Sequence, residues 1–234
     1  MREVGLSRAN NAGIALASHD LLVFTHDDVR VTREWFGTLV GALFAAGPRA
    51  VITGQVRPTA EERPGGFQLT IITDPEPATY EGRVGEDVLY PLNMALYRAA
   101  AEAVGGFDVR LGPGTPFPAA EDNDFGFRLL EAGYRILYVP GAALYHRAWR
   151  PPGDFFRLRW SYSRGQGAYF AKHARLSDRS MLRRLRWDLW RHASRVPGRL
   201  WRRDLRRATG DVTYILGLLS GTLHWLWLTR AGRR

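Results

Sequence analysis

Along residues 1–150, short apolar runs bounded by turn residues alternate with stretches whose apolar side chains recur at helical spacing, and this alternation limits the fold more than any other feature. Leu21-Leu22-Val23-Phe24-Thr25 is too short for a helix and reads as a buried strand. Trp35, Phe36, Leu39, Val40, Leu43 and Phe44 then recur as in an amphipathic helix, with Thr32 placed to cap it. Ala-rich residues 8–17 form an earlier helix behind Ser7 as its cap. Residues 50–56, 88–97 and 134–139 read as extended. Residues 99–104 and 122–132 read as helices, stopped by Gly105-Gly106 and Gly133. Residues 57–77 and 111–120 are rich in Gly and Pro and read as loops. The pattern predicts an α/β layer fold with a mostly parallel sheet.

Three places carry residues suited to chemistry. His26-Asp27-Asp28 directly follows the first apolar run, and ligands of open α/β sheets bind at the carboxyl ends of strands. Carboxylates there suit a hard divalent cation that holds a diphosphate and neutralises it as it leaves. The plainer reading is a polar turn, where Asp is common. Glu121-Asp122-Asn123-Asp124 opens a helix. Acids favour that position for capping and dipole reasons alone, yet three in four residues exceed what capping requires. A carboxylate following a Gly/Pro loop can also serve as a general base. His146 follows the strand-like residues 142–145 and matters only if the fold brings it to Asp28.

Ala9-Asn10-Asn11-Ala12-Gly13-Ile14 and Phe24-Thr25-His26-Asp27-Asp28-Val29 together resemble the nucleotide-sugar and metal-binding half of family 2 glycosyltransferases. Asn93-Met94-Ala95-Leu96-Tyr97-Arg98, followed by Gly105-Gly106-Phe107-Asp108, resembles that family's acceptor-side segment. Residues 121–134, from Glu121-Asp122-Asn123-Asp124 to Gly133-Tyr134, are similar to its catalytic-base motif. The ordered set covers residues 5–147, and Arg164-Gly165-Gln166-Gly167 resembles a segment that follows the core in some members.

The resemblance implies a GT-A (nucleotide-diphospho-sugar transferase) fold and transfer of a sugar from a nucleotide-sugar donor to an acceptor hydroxyl with inversion. Asp28 and Asp27, with His26 and His146, would hold Mg2+ or Mn2+. Asp122 would be the general base, supported by Glu121 and Asp124. Asn11 would lie on the donor side, and Asn93 and Arg128 on the acceptor side. His26 stands where the family motif has Asp, and imidazole suits Mn2+ better than Mg2+. Family members begin several dozen residues earlier, so the resemblance also implies that the first strands are missing. A homo-oligomer or another partner would then supply that half, because an unpaired sheet edge invites association.

Charge divides the chain. Residues 1–146 carry 12 Arg against 18 Asp and Glu, whereas residues 147–234 carry 20 Arg and one Lys against 5 Asp. After a helical extension over 151–180, residues 181–196 place Leu182, Leu185, Leu189, Trp190 and Ala193 on one side and arginines on the other. Pro197-Gly198 interrupts, and residues 212–228 then run 17 positions without a formal charge. That length is marginal for a span, so the 181–234 tail reads as lying in a membrane interface, its arginines drawn to anionic lipid. The plainer reading is a helix packed back with a solvated Arg face. An interfacial tail suits a lipid-linked or cell-envelope acceptor and a peripheral place on the cytoplasmic face of the cell membrane. Nucleic acid is not the expected partner, because the body is acidic and carries no such motif. A membrane-associated, non-catalytic glycosyltransferase-like scaffold is the rival reading. The chain has no cysteine, which excludes disulfides, thiolate metal sites and a cysteine nucleophile. Met1-Arg2-Glu3-Val4 shows no apolar signal segment.

Overall fold

The computed structural model describes residues 4–68, 70–174 and 179–231, so residues 175–178 and 232–234 of the expected extension and tail lie outside it. The chain divides into two compact units. A sheet unit comprises Ala9–Phe107 and Asp122–Pro152, and a helical unit comprises the described parts of Met1–Arg8, Asp108–Glu121 and Gly153–Arg234.

The elements of the first unit are α1 (Leu6–Leu16, which begins in the helical unit), β1 (Leu21–Thr25), β2 (Val29–Val31), α2 (Trp35–Ala46), β3 (Ala50–Glu61), β4 (Ala78–Tyr80), β5 (Asn93–Tyr97), α3 (Arg98–Ala103), α4 (Glu121–Glu131) and β6 (Arg135–Ala148). The sheet order is β1-β5-β3-β6-β2, with β4 also pairing β6. The α/β class holds, but the sheet is mixed rather than mostly parallel. Among the described residues only β3–β6 is a parallel strand pair; β5 lies antiparallel between β1 and β3, and β2 and β4 run antiparallel to β6. The reason lies in the connections. A parallel neighbour requires a crossover, whereas β3 reaches β5 through loops and the short β4, without a helix between them.

Alternation along the central strands divides the core between two faces. Met94 and Leu96 of β5 and Val51 of β3 join Ile14, Ala100, Phe107, Phe125 and Leu129 on one side. Ala95 and Ile52 face the other way, toward Trp35, Leu39 and Leu43 of α2 and Leu144 of β6. Phe36 and Phe44 of the expected α2 stripe remain 58% and 65% exposed. Two expected caps are not formed. Ser7 lies inside α1 and donates to the Leu111 carbonyl at 2.7 Å, and α2 starts after Glu34 without a side-chain cap. Arg98 instead serves the end of α1, donating to the carbonyls of Ile14 (2.8 Å), His19 (2.7 Å) and Ala17.

The strand expected to stop before Pro140 continues to Ala148. Proline cannot donate to a ladder, and here it falls in an irregularity. Gly54 pairs Val139, but Val56 pairs Leu144, so β6 gains residues opposite Gln55. The crowded spot requires glycine at 54, because a Cβ there would sit 2.1 Å from the Ala142 carbonyl oxygen and 2.6 Å from Asn93 Nδ2. The bulge leaves carbonyls without ladder partners, and Asn93 takes them: its Nδ2 donates to Ala142 O at 2.7 Å and to Gln55 O at 3.1 Å, while its Oδ1 accepts from Trp35 Nε1 at 2.8 Å.

The helical unit contains α5 (Phe155–His173), α6 (Ser180–Ala193), α7 (Arg195–Trp201) and α8 (Leu205–Ala231). α5 and α8 meet backbone to backbone: a Cβ on Gly221 would lie 1.9 Å from Arg164 O, and one on Gly167 would lie 2.1 Å from Leu218 O. Fully buried Asp211 binds Arg159 (3.0 Å), His192 (2.8 Å) and Arg199, which ties all four helices together. Pro197 and Gly198 lie inside α7 rather than between helices. Pro197 falls in its first turn, where a missing N–H breaks no bond. α8 is one helix with two faces. Leu218 and Trp225 are buried, while Val212, Leu216, Leu219, Leu223 and Trp227 form an exposed stripe; Trp187, Trp190 and Trp201 are exposed on α6 and α7. Among the described residues no helix is long and apolar enough to cross a membrane.

Candidate functional site

Strand pairing creates the site. β2 starts at Val29, which stands opposite His146 of β6, and Arg147 N donates to Asp28 O at 3.0 Å. Asp28, just before β2, is thereby carried to His146, and its Oδ2 lies 3.4 Å from Nε2. The condition placed on His146 is met. The Asp28 carboxylate also accepts from Trp149 Nε1 at 3.0 Å. The His146 contact, reinforced by Trp149, holds this carboxyl well below the usual range, against the opposing effect of burial. His26 is within electrostatic reach of Asp28, His146 and Asp27, and burial lowers its basicity, so its ring is held neutral. Asp27 is exposed.

The chemistry of the pair points to a cation. His146 Nδ1 lies 3.1 Å from the Thr70 carbonyl, which can only accept, so Nδ1 carries the hydrogen. Nε2 is the ring nitrogen that faces the Asp28 carboxylate, at 3.4 Å from Oδ2, where either a proton or a metal ion can join the two. A backbone partner on the far ring nitrogen is the usual support of a metal-binding histidine. The residues therefore fit a divalent ion with two protein ligands. Among the described residues no group of three or more His, Asp or Glu is gathered for a metal. So few protein ligands leave positions on the ion for substrate phosphates, and the imidazole suits Mn2+ better than Mg2+.

At the head of α4, burial together with nearby Asp87 raises Asp122 to about 6. A carboxylate with that affinity can accept a proton near neutral pH. Glu121 is buried.

Other expected site residues are committed to structure. Asn93, expected beside an acceptor, is fully enclosed at 0% exposure. The central strand β5 holds it at the bulge, where its amide is taken up. Asp124, also 0% exposed, accepts from Arg128 Nε at 2.8 Å, and Arg128 donates onward to Gly106 O at 2.7 Å and to Val104 O. That pair secures the turn after α3 rather than presenting charge to a ligand. Asn11 forms a two-point clamp on the Phe107 backbone, both contacts at 2.8 Å. Nothing in the spacing of Trp149, Thr70 or Asp87 signals a role; only the tertiary fold brings them to Asp28, His146 and Asp122.

The mixed α/β fold of this chain is that of GT-A glycosyltransferases. It superposes on a mannosyltransferase from Pyrobaculum calidifontis, solved with GDP-Man and Mn2+, with a TM-score of 0.56 and 14% identity, over 94% of this chain and 66% of that one. Residues 91–230 match the model for glycosyl transferase family group 2 and residues 2–102 that for glycosyl transferase family 2, and the chain belongs to this family. Pre-mycofactocin glycosyltransferases from two Mycobacterium tuberculosis strains, CDC 1551 / Oshkosh and ATCC 25618 / H37Rv, are each 29% identical over 150 residues, or 61% of this chain. The chain spans 30% of those relatives' length.

Proposed function

We propose that this chain transfers a sugar, of hexosyl type, from a nucleotide-sugar donor to an acceptor hydroxyl with inversion. The observation that carries the reading is the convergence of Asp28 and His146, whose Nδ1 is held by the Thr70 carbonyl while Nε2 faces the carboxylate. Asp28 and His146 would hold Mn2+ or Mg2+, with His26 and Asp27 close by, and the ion would neutralise charge on the diphosphate. Asp122 takes the proton of the acceptor hydroxyl. The acceptor oxygen then bonds to the anomeric carbon as the bond to the nucleoside diphosphate breaks on the opposite face, which inverts that centre. Asp124 and Arg128 act at a distance by fixing the turn at Gly106.

The test is calorimetric titration with GDP and UDP, with and without Mn2+, of the wild type and Asp28→Ala. Metal-dependent binding of one of them that Asp28→Ala abolishes is expected. A folded wild type that binds neither would overturn the proposal.

The helical unit adds a location to this reading. The exposed α8 stripe, the tryptophans of α6 and α7 and the arginines around them suit the interface of an anionic bilayer. An enzyme held there would meet a lipid-linked or cell-envelope acceptor from the cytoplasmic face.

A further inference from the structure

Arg150 stands out among the arginines of the sheet unit. Arg147 is spent on Glu62 through two contacts, 2.7 and 2.8 Å, and Arg57 on Gln55 at 2.6 Å. Arg150 has no such partner: among the described residues its side chain forms no hydrogen bond or ion pair, and its Nε is buried and unsatisfied. A buried guanidinium N–H without an acceptor is costly, and charged donors more so.

The placement of Arg150 is built. Its backbone carbonyl accepts from Phe67 N at 3.1 Å. The segment before Phe67 lies tight against the end of β6, where a Cβ on Gly66 would stand 2.4 Å from Ala148 O. The guanidinium carbon sits 4.7 Å from the centroid of the Trp149 ring. That same indole donates to Asp28 Oδ2 at 3.0 Å. One aromatic ring therefore grips the candidate metal carboxylate with its N–H and seats a cation on its face. Stacking on an aromatic fixes the plane of a guanidinium and leaves its edge donors for an acceptor-only ligand.

We propose that Arg150 binds the diphosphate of the nucleotide donor, as a second positive group beside the Asp28–His146 pair. This rests on the donor-site reading above. A phosphate offers acceptor oxygens alone, matches the planar fork in two-point fashion, and would satisfy the orphaned Nε. Trp149 acts here as a positioning residue for both groups.

The experiment is titration of wild type, Arg150→Ala, Arg150→Gln and Arg150→Lys with GDP, UDP and inorganic pyrophosphate in Mn2+, at two salt concentrations. The expected result is that the diphosphate bound by wild type binds Arg150→Ala about tenfold or more weakly, in keeping with loss of a charge-assisted pair. Arg150→Lys should be intermediate, because a point charge replaces the fork, and both neutral variants should lose part of the salt dependence. A parallel loss for pyrophosphate would assign the contact to the phosphates rather than the nucleoside. Melting curves identify a variant that fails to fold, and Arg150→Gln, which keeps most of the bulk, then carries the comparison. Wild-type affinity in the folded neutral variants would overturn this inference and leave the donor site standing. A wild type that binds no diphosphate would overturn both.

Discussion

Asn93→Ala is the substitution that most directly tests how this site is assembled. The side chain makes three hydrogen bonds at 0% exposure, to the Trp35 indole and to the carbonyls of Gln55 and Ala142. Truncation would leave one buried donor and two carbonyls unsatisfied at about 1–3 kcal/mol each. Carbonyls keep a second lone pair, and some relaxation is available, so about 3–5 kcal/mol is the working figure. That is a large share of the roughly 5–15 kcal/mol by which a domain is stable. With a urea dependence of about 2–3 kcal/mol per molar, the midpoint should fall by about 1–2.5 M at unchanged slope. Equilibrium urea unfolding followed by far-UV circular dichroism reads this directly. Asn93→Asp sharpens the test, because it keeps the acceptor for Trp35 but turns both donor contacts into facing oxygens. Its buried carboxyl should have a raised affinity for protons, so the variant should be more stable at pH 5 than at pH 8. A midpoint within about 0.3 M of wild type, combined with weakened acceptor affinity, would refute the structural assignment and restore Asn93 to the acceptor side.

Asp122→Asn should lower the transfer rate by about 10²–10⁴-fold, and the wild-type rate should rise with pH toward a plateau above about 6. Stability should move the other way. A carboxyl raised from 3.8 to about 6 favours the folded state most below pH 3.8 and loses that contribution as pH rises through 6, so Asp122→Asn should melt higher than wild type at pH 8. A flat pH–rate profile, or a variant of unchanged rate, would remove Asp122 from the role of base. The wild type should float with vesicles of mixed anionic and zwitterionic lipid at low salt and be released by high salt or by Leu216→Glu with Leu223→Glu; equal recovery with purely zwitterionic vesicles would count against an anionic-surface reading.

Much of this molecule is legible without coordinates because its signals are local. The apolar run at Leu21–Thr25, the helical spacing that begins at Trp35, and the glycine stops at Gly105, Gly106 and Gly133 depend on near neighbours, and the structure has elements at those places. Boundaries shifted where a tertiary partner outweighed a local preference. Ser7 left its capping role for the Leu111 carbonyl, and β6 passed through Pro140 because Gly54 and Asn93 accommodate the bulge. The sheet expected to be mostly parallel is mixed, since alternation names the elements but not their neighbours in the sheet.

The candidate site divides in the same way. His26-Asp27-Asp28 and Glu121-Asp122-Asn123-Asp124 were readable as clusters of chemical groups, and the sequence alone determined that such groups follow a strand and open a helix. It also determined the contrast between an acidic body and a basic, Trp-bearing C-terminal part. What each polar side chain does was decided by tertiary structure. Asn11, Asn93, Asp124 and Arg128 carry functional groups as suitable for a ligand as those of Asp28, but burial supplied them with backbone and side-chain partners. His146 reached Asp28 only through the register of β2 on β6, and Trp149 and Arg150 followed it there. The physical reason is that propensity and periodicity act over a few residues. Pairing register and burial are settled by the whole sheet, and they choose which polar groups are satisfied from within and which remain open to a ligand.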